Sequence, residues 1–333
     1  MASSVTVPKH SMQESCDPSA QKGTPPDSHI GLALTPPASA ERRQPLARSS
    51  VENVLAAFRD LKNYRSPPQD EKELFELQPD QYLQLLRELE CDRPLQAYVD
   101  CKVRWEYDPE SALLYIRMNT PIHQFFAASI MHEICKQLDR IASGEGAASK
   151  FASQIASGAS ARIFLKEGSP RGDHAEVFPR RAPDAQFHHY DAAYPGVVLE
   201  VSYSQNAKEL RKLAWQYIQN SNGNIKVFIG IIIDYTRTKV PILSLWRPSY
   251  THEEGEEFDL LDVYQEIESQ PFRAQDGSYT NQTQCIQLSL SDFAPDELSA
   301  NFQDSRLEIS YNHLASFLDL AEKAQERESG IYI

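Results

Sequence analysis

The amino-acid sequence predicts an α/β fold, with a mixed central sheet flanked by helices. Two segments, residues 197–201 and 226–234, are apolar on both faces, which is typical of strands in a sheet that is covered on both sides. Between them, residues 207–220 carry apolar side chains at i, i+3 and i+4, the pattern of a helix laid on a sheet. A strand, helix and strand within about 38 residues match the length of a parallel crossover.

The N-terminal part divides into two segments. Residues 1–49 are rich in Ser, Pro, Ala and Thr and are predicted to be a disordered leader, because they contain too few large apolar groups to offset the entropy of ordering. Residues 50–100 are predicted to be a helical extension. Its first helix begins with a serine cap at Ser50, and its second runs from about Pro79 to Glu90, with Pro94 following.

The core is predicted over residues 101–250. Val103, Trp105 and Tyr107 alternate with polar residues, and a turn at 108–111 returns the chain as a hairpin. Pro121 then begins a helix with one apolar face. The remaining strands are predicted at residues 162–166, 182–187, 197–201, 226–234 and 240–246.

Residues 251–333 are predicted to form an acidic extension that packs on the core. They contain 18 acidic and four basic residues, so they carry the whole excess of a net charge of −14. An acidic helix is expected at 257–268, a strand at 285–290 and a final helix at 311–326.

Composition limits the classes of function. The acidic excess argues against broad phosphate-driven binding of nucleic acid, although a slight basic balance over residues 150–212 leaves a small footprint possible. No apolar run is long enough for a membrane helix, and the five cysteines are scattered without a paired motif. An intracellular protein, cytoplasmic or nuclear and without a membrane partner, is expected.

Two carboxylates carry the candidate chemistry. Asp184 follows Pro183 in one predicted strand, and Glu200 ends the apolar strand that follows. Carboxylates at the ends of adjacent strands can bind Mg²⁺ or Mn²⁺ through oxygen and leave positions open for water and a phosphate oxygen. Glu133, on the helix from Pro121, is a candidate third metal ligand, with a solvated surface charge as the alternative.

Pro183-Asp184 followed by Glu200-Val201-Ser202 resembles the P-D…(D/E)-x-K pattern of the PD-(D/E)XK nuclease superfamily. Within it, the hairpin, the helix start at Pro121 and His123, and Tyr217 on the following helix are similar to a bacterial restriction-endonuclease family abundant in cyanobacteria. The N-terminal and C-terminal segments look like those of fungal proteins of unassigned function. The resemblance spans roughly residues 105–234.

The resemblance implies a restriction-endonuclease-like sheet and metal-dependent hydrolysis of DNA or RNA, with a departure at the lysine. Ser202 occupies the usual lysine position, and Leu213 occupies the position at which the bacterial family carries a lysine on the helix. Arg211, at the edge of that helix's apolar face, is the best candidate to replace it. The implied catalytic set is therefore Asp184, Glu200, Ser202 and Arg211, with the metal on Asp184, Glu200 and Glu133.

The missing lysine and the acidic charge favour a different class of function. In that alternative, the chain is a non-catalytic interaction module that keeps the nuclease fold. An open, basic groove around Asp184 and Glu200 would favour the enzyme, and an acidic or plugged one would favour the module.

Overall fold

A computed structural model describes residues 49–63, 72–117, 120–166, 177–202, 207–233, 240–252 and 259–329. Apart from Ser49, the predicted leader lies outside these ranges. The described chain is a mixed α/β structure, as predicted. Its strands are β1 (Lys72–Glu76), β2 (Arg104–Asp108), β3 (Leu113–Arg117), β4 (Ile155–Ser157), β5 (Ile163–Phe164), β6 (Arg180–Arg181), β7 (Ala185–His189), β8 (Val197–Ser202), β9 (Val227–Ile232), β10 (Ile242–Thr251), β11 (Leu260–Pro271), β12 (Cys285–Ser289) and β13 (Arg306–Ser310). Its helices are α1 (Ser50–Lys62), α2 (Pro79–Cys91), α3 (Arg93–Lys102), α4 (Pro121–Ala142), α5 (Ala147–Ala152), α6 (Ala207–Gln219), α7 (Asp296–Ser299) and α8 (Tyr311–Ser329).

The central sheet has six strands in the order β11-β10-β9-β8-β7-β4. Strands β8 and β9 are parallel and are joined through α6, which confirms the predicted crossover. The other pairs in this sheet are antiparallel, so the sheet is mixed. Both β8 and β9 are buried along almost their whole length, as their apolar sequences predict.

The two faces of the central sheet have different covers. On one face, α6 buries Leu210, Ala214, Tyr217 and Ile218 in a cluster with Phe228. On the other face, α4 and α8 share a second hydrophobic cluster with the inward side chains of β7 to β10 and with the small sheet β12-β13. The C-terminal helix therefore contributes to the main core.

A second sheet has the order β1-β3-β2-β6-β5. The β2-β3 hairpin buries Trp105 and Tyr107 against helices α1 to α3, as the alternation along β2 predicts. The first of these helices starts with a capping box, in which Ser49 accepts from the backbone of Glu52 at 3.2 Å and the Glu52 side chain accepts from the Ser49 backbone at 2.9 Å. The cap is one residue earlier than predicted.

Several predicted elements were wrong. The helix expected at 257–268 is an edge strand, β11, whose alternating burial follows its antiparallel pairing with β10. The strand expected at 182–187 is displaced: Arg180 and Arg181 form β6 in the second sheet, and β7 begins only at Ala185. Strand β1 and helix α3 were not predicted as separate elements. In the described ranges, no helix combines the length and apolar character needed to cross a bilayer.

Candidate functional site

The structure brings the two predicted carboxylates together. Asp184 lies immediately before β7, and its backbone amide donates to Leu199 of β8 at 2.9 Å. Because β7 and β8 pair with Ala185 opposite Leu199, the register continued by one residue places Asp184 opposite Glu200. Both side chains are 1% exposed. The pair is therefore enclosed in the protein interior.

Two arginines of the β2-β3 hairpin lie against these carboxylates. Arg104 and Arg117 are cross-strand partners, so both side chains point from the same face of the hairpin. Arg104 donates to the Oδ1 atom of Asp184, and its Nη2 lies 3.7 Å from Glu200. Arg117 donates to Glu200 Oε2 at 3.0 Å and to Glu106, a third carboxylate on β2, at 2.8 Å. We call these five side chains the ion cluster.

Three further groups contact the remaining carboxylate oxygens. The backbone amide of Val201 donates to Asp184 Oδ2 at 2.6 Å, and His123 Nε2 lies 3.2 Å from the same oxygen. The hydroxyl of Tyr217, on α6, donates to Glu200 Oε1 at 3.0 Å. His123, near the start of α4, and Tyr217 are both part of the sequence resemblance, and both contact the carboxylate pair.

The charges in the ion cluster do not balance, since three carboxylates face two guanidinium groups. Although burial opposes ionisation, Arg104 and Arg117 hold the pKa of Asp184 well below its ordinary value. Burial raises the pKa of Glu200 to about 7, and the negative charges of Asp184 and Glu106 act in the same direction. Of the three carboxyls, Glu200 is therefore the first to take up a proton as the pH falls.

A divalent cation does not fit this arrangement. Each carboxylate oxygen of Asp184 and Glu200 already accepts from a donor, and the guanidinium groups of Arg104 and Arg117 lie within 4 Å of both carboxylates. A cation would have to separate Arg104 from Asp184 and Arg117 from Glu200, which breaks buried ion pairs. Across the described ranges, no set of three or more His, Cys, Asp or Glu side chains is arranged to hold a metal.

The other predicted site residues lie elsewhere. Glu133 follows His123 by ten residues on α4, which corresponds to a rise of about 15 Å along the helix. Because His123 is the residue of α4 that contacts Asp184, Glu133 is too far away to share a metal ion with Asp184 and Glu200 as predicted. Its carboxylate instead accepts from Gln137 at 2.9 Å and Lys136 at 3.3 Å. Ser202 is buried at the end of β8. Arg211 is exposed on α6, and no contact of it with the ion cluster is seen in the described ranges.

Two clefts border the ion cluster. One has a volume of about 490 Å³ and is lined by Glu106 and Arg117 together with Lys212 and Leu213 of α6. Lys212 is half-exposed, and its Nζ lies 3.6 Å from Asp108. The other cleft has a volume of about 400 Å³ and is lined by residues of α3, β2 and β6, Arg104 among them.

The sequence reasoning missed the arginines of the ion cluster. A signal was present, because every second residue of β2 is charged: Arg104, Glu106 and Asp108. A strand with apolar residues on one face and only charged residues on the other predicts a polar partner for the second face. The pattern does not indicate that Asp184 and Glu200 are the partners of this charged face.

The sequence was compared with protein-family models and with curated proteins. No family model and no curated protein matches it.

Proposed function

We propose that this chain is a non-catalytic binding module built on a PD-(D/E)XK nuclease-like core. The observation that carries the proposal is the occupation of both carboxylates by Arg104 and Arg117. In a nuclease of this kind, the carboxylates hold a metal that activates water, so their oxygens have to be available. Here they are the acceptors of a buried ion cluster.

The restriction-endonuclease-like fold is part of the same proposal. Its support is the order of elements: a hairpin, the helix α4, the carboxylate-bearing pair β7-β8, and the parallel crossover through α6 to β9. Tyr217 and His123, which are both part of the sequence resemblance, contact the carboxylates at 3.0 and 3.2 Å. The architecture is consistent with a nuclease-like ancestor whose site has been closed.

The lysine position gives further support. Ser202 has no positive charge to stabilise a developing phosphate charge, and Leu213 on α6 is apolar. Lys212 lies beside Asp108 at 3.6 Å, more than half exposed, and Arg211 faces solvent. Within the described ranges, the cations that contact the carboxylate pair are the two arginines that neutralise it.

A metal-dependent nuclease is the second candidate, and one observation favours it. Asp184 and Glu200 lie on neighbouring strands, and a cleft of about 490 Å³ leads to Arg117 beside them. In that case, Arg104 and Arg117 would have to move aside when a metal and a nucleic acid bind.

Metal titration and cleavage assays distinguish the two candidates. The melting temperature is measured with Mg²⁺, with Mn²⁺ and with a chelator, and single- and double-stranded DNA and RNA are offered as substrates. The matched control is Asp184→Asn/Glu200→Gln, which removes both charges at nearly constant volume. We expect no metal-dependent rise in melting temperature and no cleavage above the level of this variant. Cleavage that requires metal and is lost in the variant would overturn the proposal and establish the nuclease.

A further inference from the structure

Arg180 is a buried cation without a carboxylate partner in the described part of the chain. The residue is 4% exposed, and its guanidinium carbon lies over the Trp105 ring, 3.6 Å from the ring centre. The Nε atom donates to the Trp105 carbonyl at 3.2 Å. By contrast, the neighbouring Arg181 lies 3.7 Å from Asp108 and donates to Gln216 at 2.6 Å. An unpaired buried charge is costly, so the position of Arg180 needs another explanation.

Arg180 lines the cleft of about 400 Å³, which we call the Arg180 cleft. Its charged lining residues are Asp100, Lys102, Arg104, Arg162 and Arg180. Two of the four cations form ion pairs with carboxylates: Arg104 with Asp184, and Arg162 with Asp100 at 2.7 Å. The cleft therefore keeps an excess of positive charge.

The cations in the cleft repel each other. Burial and the nearby charge of Arg162 lower the pKa of Arg180 to about 10, which still leaves it protonated at neutral pH. An anion entering the cleft would relieve this repulsion and satisfy the guanidinium. Arginine is suited to that role, because its planar fork matches the oxygens of a phosphate.

We propose that the Arg180 cleft binds a phosphate-bearing ligand of mononucleotide size. Its volume lies in the range of small-molecule sites. Phe164 lies beside the lining of the cleft and not in it; the residue is 43% exposed, and its ring centre lies 5.9 Å from the Arg180 guanidinium carbon. An exposed aromatic ring next to a phosphate-binding cation provides a surface on which a base can stack, which favours a nucleotide over a phosphopeptide. The inference rests on the proposed function, since it names the ligand class of a non-catalytic module.

Calorimetric titration tests the proposal with three probes: adenosine 5′-monophosphate, inorganic phosphate and a phosphoserine peptide. Because Arg180 is buried, its substitution could disturb folding, so the main variant is Lys102→Gln/Arg162→Gln, which changes two accessible cations of the cleft. The control is Arg140→Gln, an exposed arginine near the end of α4 that does not line the cleft. We expect the wild-type protein to bind the nucleotide more tightly than inorganic phosphate. The double variant should bind the nucleotide roughly tenfold more weakly than the wild type, and the Arg140→Gln control should bind it as tightly as the wild type.

Three outcomes would overturn the proposal: no nucleotide binding at millimolar concentration, equal affinity in the double variant, or binding of the phosphopeptide alone. The metal-dependent cleavage assay is run on the same samples. If the protein neither binds the nucleotide nor cleaves nucleic acid, the proposed ligand is wrong, but the proposed non-catalytic function stands. If the protein cleaves nucleic acid in a metal-dependent way, the proposed non-catalytic function is wrong, regardless of the result of the nucleotide titration.

Discussion

Arg117→Met tests whether the ion cluster stabilises the fold. The arginine is 13% exposed and bridges Glu106 and Glu200. Methionine keeps much of the aliphatic volume but removes the charge and three ion pairs, with Glu106, Glu200 and, at 3.8 Å, Asp184. Glu106 and Glu200 are then left in the interior with Arg104 as the cation of the cluster, while Asp184 competes for the same guanidinium.

The expected loss is large, because removal of one partner from a buried ion pair costs about 3–5 kcal/mol of unfolding free energy. Glu200→Gln should cost much less, since Arg117 keeps its bond to Glu106 at 2.8 Å and the glutamine can still accept from Tyr217. In the double variant, the two losses should not add. A coupling energy on the order of 1–3 kcal/mol is expected for residues in one such network.

Urea unfolding followed by circular dichroism at pH 7 measures these free energies, with a chelator present so that metal does not contribute. Lys136→Met is the matched control, because Lys136 is 57% exposed and pairs with Glu133 at 3.3 Å on the surface of α4. Its expected cost is about 0–1 kcal/mol. If Arg117→Met costs no more than this control, or if the double variant shows simple additivity, the ion cluster does not stabilise the protein as argued.

Two further predictions concern pH and packing. Because the pKa of Glu200 is raised from 4.5 to about 7, the folded state keeps a proton that the unfolded state releases, so stability should fall by up to about 3 kcal/mol as pH rises from 4.5 to 7. Unfolding free energies between pH 5 and 8 should show a smaller fall in Glu200→Gln, and equal slopes in the two proteins would contradict the assignment. Gly230→Ala should destabilise the protein by about 1–3 kcal/mol, because the added methyl group would lie 2.6 Å from Leu210 and 3.0 Å from Trp246 between β9 and α6. Thermal unfolding checks this, and an unchanged melting temperature would show that α6 can move away from the sheet.

The acidic region around β11 shows how a local pattern can be misread. Residues 260–268 contain an alternation in which Leu261, Val263 and Ile267 are more buried than their neighbours. The segment was predicted to be an acidic helix, although this alternation is typical of a strand. Pairing with β10 decides the conformation, because an edge strand gains its stability from cross-strand contacts that a single segment does not contain.

Local periodicity was sufficient for the elements that build the core. Side-chain spacing alone predicts four core elements: the apolar strands β8 and β9, the amphipathic helix α6 and the long helix α4. In each segment, the positions of the apolar residues indicate which face is buried, or that both are. Asp184 and Glu200 were expected on neighbouring strands, and the antiparallel register of β7 with β8 places them opposite each other.

The tertiary structure alone decided the state of these carboxylates. Arg104 is 80 residues from Asp184 along the chain, and Arg117 is 83 residues from Glu200, so their contacts depend on how the second sheet lies against the central one. Side-chain periodicity was sufficient to predict the elements of the α/β core and a carboxylate at the end of β8. It could not determine that the site is closed, because charge neutralisation in a protein interior depends on distance in space, and residues far apart in sequence supply the charges.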